Sequence, residues 1–376
     1  MKTRYNEYND IHNLKKRIQD NEVVFLKGKR FDTLAGKGLQ LKINSSVGLS
    51  DESQFQNEAD KISKIASFDF LPDIMMDLSI ISVKNPIYQI VQEKIGCPVG
   101  TVPVYACFDS EKGIDKNKFL EEIERQAQNG VSFMTLHFTA IDDIYRKTMK
   151  RNISVISRGG SLVLRDLYLN KRKQNFLLEY FDDICKILKK YSVVVSVGTT
   201  FRPSTLYDAL DTIQLSEIRM QKDIIKSLRK RGISVMMEGV GHISLNALKK
   251  YVELIRDDFY VPFMPLGPIP TDRAIGWDHI SAAIGASYMA LLDGADIINA
   301  VTREEHTGGV PNTNSIYEAI KSAQVVVNSI NDVRFFEQYN KVQNSRKTNC
   351  MGIIKEDIGC DRCKEECPFL LNKPLQ

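Results

Sequence analysis

Between Phe70 and Thr302 one theme recurs: a short β-branched or apolar run, then a glycine or polar residue, then a longer stretch with helical periodicity. That alternation is the signature of βα units on a parallel sheet. The runs are Asp73–Leu78, Val99–Cys107, Phe133–Phe138, Ile153–Ile156, Val193–Val197, Ile233–Met237, Phe259–Leu266 and Asp296–Val301. Eight such units fit a closed barrel better than an open doubly wound sheet, and the chain has neither a G-x-G-x-x-G turn nor a Walker A loop. The expected fold class is therefore α/β, a (β/α)8 TIM-type barrel over residues 70–311. A small lead-in region, 1–69, precedes it, with helix-like pieces at Asn9–Asp20 and Glu52–Ile65 and strands at Val23–Lys27 and Gln40–Ile43. A helical region, 312–342, and a mobile cysteine-rich tail, 343–376, follow.

Lysine and arginine number 51 against 47 acids, and they are scattered among those acids, so no nucleic-acid field is expected. The longest apolar-looking stretch, Ser281–Leu292, stops at Asp293. It is too short for a bilayer, which takes about 20 residues. With a polar N-terminus, this points to a cytoplasmic protein without membrane contact. Cys97, Cys107 and Cys185 stand alone in apolar surroundings, whereas Cys350, Cys360, Cys363 and Cys367 crowd the C-terminus. In a reducing compartment such crowding suggests metal rather than disulfides.

Barrel enzymes place their chemistry where strands run into the βα loops. At those ends stand Asp77 with Ser79, Tyr105, His137, Ser157-Arg158-Gly159-Gly160, Arg202, Glu238 with His242, Asp272 with His279, and His306. Four of the chain's five histidines are among them. His242 and His306 could share a metal between two imidazoles, or be loop histidines bonded to backbone. Ser157–Gly160 reads as an anion cradle, with two glycines for close backbone approach and a guanidinium fork, or as a tight turn bearing a solvated arginine. His137 could equally be a buried, satisfied histidine. Cys360-x2-Cys363-x3-Cys367 brings three thiolates together. Three thiolates suit a [4Fe–4S] cube with one open iron. With Cys350 as a fourth ligand they would suit structural zinc.

Several ordered motifs resemble the phosphomethylpyrimidine synthase family of thiamine biosynthesis. They are Asp73-Ile-Met-Met76-Asp77-Leu-Ser79, Pro98-Val-Gly-Thr-Val-Pro-Val-Tyr105, Ser157-Arg-Gly-Gly160, Glu238-Gly-Val-Gly-His242, Leu266-Gly-Pro-Ile-Pro-Thr-Asp272, Trp277-Asp-His-Ile280 and Glu304-Glu-His306 with Val310-Pro-Asn312. The resemblance implies a radical S-adenosylmethionine enzyme on a barrel, acting on aminoimidazole ribotide or a related phosphorylated imidazole nucleotide. The product would be the thiamine pyrimidine phosphate or, as in anaerobic relatives, 5-hydroxybenzimidazole, a cobamide lower ligand. It further implies a [4Fe–4S] cluster on Cys360, Cys363 and Cys367, and a divalent metal, zinc or iron, on His242 and His306. Met76, Tyr105, His137, Ser157, Arg158, Gly159, Arg202 and Glu238 would bind substrate, with Glu238, His137 and Tyr105 catalytic. An electron donor such as flavodoxin or ferredoxin and a homodimeric state complete the implied picture.

Three positions depart from the family pattern. Thr199-Thr-Phe-Arg202-Pro-Ser204 has a threonine where the family has an aspartate, Ser46 replaces an asparagine, and Met264 replaces a tyrosine. The spacing between the last two cysteines is also one residue shorter. Together these describe a divergent member that keeps the arginines and histidines and holds its substrate differently. Two other classes of function stay compatible with the residues. One is a mononuclear metal-dependent lyase or hydrolase with a structural zinc tail. The other is a non-catalytic nucleotide-binding paralogue.

Overall fold

The computed structural model describes residues 11–257 and 260–335. The chain divides into two compact units, Met1–Ile330 and Asn331–Gln376. The cysteine tail lies outside the described residues, and the fold below is that of the first unit.

Eight parallel strands form the centre: β1 (Lys42–Val47), β2 (Ile74–Asp77), β3 (Val99–Thr101), β4 (Phe133–Leu136), β5 (Val194–Val197), β6 (Val235–His242), β7 (Phe263–Ile269) and β8 (Ile297–Asn299). They are hydrogen-bonded in the order β7-β6-β5-β4-β3-β2-β1-β8. The ring closes where Asp296 N, entering β8, donates to Phe263 O of β7 at 2.9 Å. Most of these strands are buried along their whole length, as β2 (Ile-Met-Met-Asp) and β5 (Val-Val-Ser-Val) show, because helices cover the outside. Helix Thr313–Arg334 adds Ile316, Ile320 and Val327 to the same continuous core.

The expected barrel is present with two corrections to its strands. Ile153–Ile156 is not a strand: it lies in the connection from β4 to β5, which pair directly through Phe133 and Val194, so no neighbour is left for it to bond. Ile153 is 48% exposed. The strand that completes the eight is Lys42–Val47, taken from the segment read as a lead-in and paired on both sides, with β2 and β8. Smaller adjustments follow local stereochemistry. In the run Val99–Cys107 only Val99–Thr101 is extended, because Pro103 starts a helical turn, Val104–Cys107, that carries Tyr105. The helical stripe Asn175–Tyr191 breaks at Tyr180 into Phe176–Glu179 and Phe181–Tyr191.

The N-terminal segment closes the far end of the barrel. Strands Val23–Leu26 and Thr33–Gly36 form an antiparallel hairpin. Just before it, the Asn21 side chain donates to Val235 O and accepts from Val235 N, both at 2.8 Å, at the point where β6 begins. Among the described residues the opposite end, where the strands finish, holds a cavity. Among the described residues no helix is long and apolar enough to cross a membrane.

Candidate active site at the strand ends

A cavity of about 410 Å³ opens at the C-terminal ends of the strands. Met76, Tyr105, His137, Ser157, Arg158, Arg202, Glu238, His242 and His306 all line it. Residues far apart in sequence thus meet because each terminates a strand or sits in the loop that follows it.

One end of the cavity is built by β4, β5 and β6. Glu238 on β6 accepts at Oε1 from Thr135 Oγ1 of β4 (2.7 Å) and Ser196 Oγ of β5 (2.6 Å). Burial pushes its carboxyl above the usual range, while those hydroxyls and the Arg202 guanidinium oppose the rise. His137, just past β4, is buried, and that burial, aided by the positive charge of Arg202, lowers its imidazole to about 3. It is therefore neutral at ordinary pH. Its buried Nδ1 has no hydrogen-bond partner among the described residues. Gly159 lets the imidazole approach the backbone closely: a Cβ there would come within 2.3 Å of His137 Cε1. Gly159 is thus a backing for His137 rather than a wall of the cavity.

Ser157 caps helix Arg158–Leu169, its Oγ accepting from Gly160 N at 3.2 Å. The helix therefore begins at the cavity, with Arg158 as its first residue. The Arg158 guanidinium stands 5.7 Å from the centre of the Tyr105 ring. Burial raises the Tyr105 phenol, and the charges of Arg158 and Arg202 work against that. A helix N-terminus with two guanidinium groups is a site for an oxyanion.

The loop carrying Arg202 is organised by Glu217, a buried residue of helix Thr212–Lys230 with no counterpart in the sequence-based reading. Its carboxylate accepts from Thr139 Oγ1 (2.6 Å), Thr199 Oγ1 (2.7 Å), Thr200 N (2.6 Å) and Phe201 N (3.0 Å). Thr199 is therefore engaged with Glu217 and does not line the cavity. Met264 is fully buried in the core and does not line it either, whereas Ser46 does. The three departures from the family pattern are thus unlike in consequence.

The other end of the cavity is formed by β6 and the loops after β7 and β8. His242 Nε2 and His306 Nε2 face each other at 3.0 Å. Behind them, His242 Nδ1 meets Asp272 Oδ1 at 2.7 Å and His306 Nδ1 meets Asp278 Oδ1 at 2.6 Å. A carboxylate behind each ring favours the proton on Nδ1 and leaves a lone pair on Nε2. Two lone pairs so aimed repel unless a proton or cation lies between them. The donor set suits a borderline divalent metal with open positions. Among the described residues no third histidine, cysteine, aspartate or glutamate is placed to share a metal ion with them, so these two imidazoles would leave most of the coordination sphere to ligands. Burial lowers the His242 imidazole, against the pull of Asp272.

His279, grouped with Asp272 from sequence, does not join the pair. It stacks on Trp277, and its buried Nδ1 has no hydrogen-bond partner among the described residues. Asp278, its neighbour, does the work that a strand-end histidine suggested. A carboxylate directly before a histidine in the Trp277–Ile280 motif was the available signal. Cys360, Cys363 and Cys367 lie outside the described residues.

Comparison with known proteins places these features in a family. A family model described as the radical SAM ThiC family matches residues 2–352. Phosphomethylpyrimidine synthase of Caldanaerobacter subterraneus subsp. tengcongensis is 35% identical over 305 residues, covering 78% of this chain and 69% of the relative. The enzymes of the same name from Clostridium kluyveri and Pyrococcus abyssi are each 31% identical, covering 90% and 87% of this chain and 80% and 79% of the relatives.

Proposed function

The chain belongs to the radical SAM ThiC family, and on that premise we propose that it rearranges aminoimidazole ribotide, or a closely related phosphorylated imidazole nucleotide, into the pyrimidine phosphate of thiamine or into 5-hydroxybenzimidazole. The observation that carries this reading is the pairing, in one cavity, of an oxyanion end at Arg158 and Arg202 with a facing imidazole pair at His242 and His306. Family membership makes the chain an enzyme that uses S-adenosylmethionine and an iron–sulfur cluster.

When bound, the cluster and S-adenosylmethionine supply the one-electron cleavage that starts such a rearrangement. Cys360, Cys363 and Cys367 are the thiolates that would hold the cluster. His242 and His306 would hold a divalent metal, zinc or iron, that seats the S-adenosylmethionine. A one-electron donor of flavodoxin or ferredoxin type, and association of two chains, belong to the same proposal.

The remaining chemistry falls to the barrel. Arg158, Arg202 and the Ser157-capped helix start hold the ribotide phosphate. Neutral His137 borders the imidazole nucleotide from the cavity lining, and the Glu238 carboxyl, with its raised pKa, exchanges a proton with the rearranging ring. Tyr105 packs over the ligand and Met76 closes the cavity floor. Walls of this kind keep water from reactive intermediates.

The test is turnover of aminoimidazole ribotide by the full chain, reconstituted anaerobically with iron, sulfide and a reductant, with products identified by mass spectrometry. Formation of 5′-deoxyadenosine with a hydroxymethylpyrimidine phosphate or 5-hydroxybenzimidazole is expected, and Cys363→Ala should abolish both. Absence of 5′-deoxyadenosine with every imidazole nucleotide tried would remove the proposal.

A further inference from the structure

We propose that Lys61 is a third cationic residue of this cavity and contacts an oxyanion of a bound ligand from the wall opposite Arg158 and Arg202. The inference rests on the function proposed above, because it supposes that anionic ligands enter this cavity.

Lys61 lies on helix Phe55–Ile65, which follows β1. Its Nζ is 2.6 Å from Glu58 Oε2, one helical turn earlier, and the two side chains are only 12% and 6% exposed. Glu58 Oε1 accepts in turn from Gly48 N at 3.0 Å, which ties the pair to the loop at the end of β1. Gly48 is needed at that junction: a Cβ would approach the Leu78 carbonyl carbon to 2.8 Å. Both Glu58 and Lys61 line the cavity. In the ring of eight, β1 is four strands from β5 in either direction, so Lys61 and Arg202 stand on opposite walls.

An i, i+3 ion pair on a helix is ordinarily solvated and adds little to stability. This one has been drawn out of water, where desolvation offsets most of the attraction and an apolar pair of similar volume would serve the fold as well. Its position on the cavity wall gives the pair a use beyond the fold. Glu58 takes one of the three ammonium donors, which leaves others for a ligand, and its bond to Gly48 N fixes where the ammonium stands. Glu58 is thus a positioning residue and Lys61 a ligand-contacting one. The partner is an oxyanion: the carboxylate of S-adenosylmethionine or, in a nucleotide seated the other way round from the placement proposed above, its phosphate.

Calorimetric titration of the reconstituted full chain separates these sources. One arm compares aminoimidazole ribotide with its dephosphorylated riboside, and the other compares S-adenosylmethionine with 5′-methylthioadenosine, which lacks the amino-acid group. Because Lys61→Met alone would strand a buried carboxylate, the Glu58→Gln/Lys61→Met double variant is titrated beside it, with thermal unfolding as the check on folding. We expect roughly tenfold or greater weakening for one charged ligand, none for its uncharged counterpart, and partial recovery in Lys61→Arg. Unchanged affinity of the double variant for both charged ligands would overturn the inference, as would equal weakening of charged and uncharged ligands, which marks a structural clamp. A wild-type chain that binds none of the four would overturn the proposed function, and the inference with it.

Discussion

The two ends of the cavity differ in what they present to a ligand. At the β4–β6 end, fixed positive charge, a helix start and a neutral imidazole surround a buried carboxyl. At the β6–β8 end, two lone-pair nitrogens face each other, each backed by a carboxylate. On the proposed function the first takes an anionic organic ligand and the second a cation. β6 is shared between them, with Glu238 near its middle and His242 at its end, so one strand couples the two chemistries. The difference teaches that charge in this barrel is placed by local pairing and not by net charge, which is only +4.

The sharpest way to break this comparison is to remove one end and ask whether the other survives. His242→Ala/His306→Ala should abolish bound divalent metal by elemental analysis while leaving ribotide affinity intact. Parallel loss of ribotide binding would show that the ends are one unit. Arg202→Met should do the converse, weakening a phosphorylated ligand by about 10–100-fold in calorimetry, the scale of a hydrogen bond to a charged group, with metal content unchanged. Asp278→Asn leaves both imidazoles in place and removes the carboxylate behind His306. Metal affinity should fall by about 10–100-fold, toward the lower part of that range because Asp272 still orients His242.

The smallest expected effect concerns stability. His137 has a folded value of about 3, below the 6.5 of the free side chain. Below about pH 6.5 the unfolded chain takes up a proton that the folded chain refuses, so stability declines as pH falls from 6.5 toward 3. His137→Gln removes this contribution. The difference in unfolding free energy between wild type and variant should shift by about 2 kcal/mol between pH 8 and pH 5. A constant difference would mean that His137 titrates in the fold as it does in the unfolded chain, and a shift of the opposite sign that the fold holds it protonated.

Most of the barrel was legible because a parallel strand buried on both faces must be a short apolar run, and seven of the runs obey that rule. The failures are equally physical. Ile153–Ile156 has strand composition but no partner strand, and composition carries no information about partners. Lys42–Val47 was read only as a short lead-in strand, Gln40–Ile43, because past Ile43 its inner face carries Asn44, bonded to Asn299, and Ser46, at the cavity, so it lacks the continuous apolar signal of its neighbours. At the site, residues at strand ends could be found from position, and His242, His306, Arg158, Arg202 and Glu238 were. Glu58, Lys61 and Glu217 could not, because they reach the site or its supporting loops from helices, where a charged residue looks like any solvated one. Asp278 was visible as a motif residue, but its role depends on a 2.6 Å contact with a histidine 28 positions away.

The most direct test of the account is pulsed electron paramagnetic resonance on the full chain loaded with a paramagnetic divalent ion such as manganese. The account predicts coupling to two imidazole nitrogens, with one lost in His242→Ala, the other in His306→Ala, and both in the double variant. An ion that shows no nitrogen coupling, or whose coupling persists in the double variant, would contradict it.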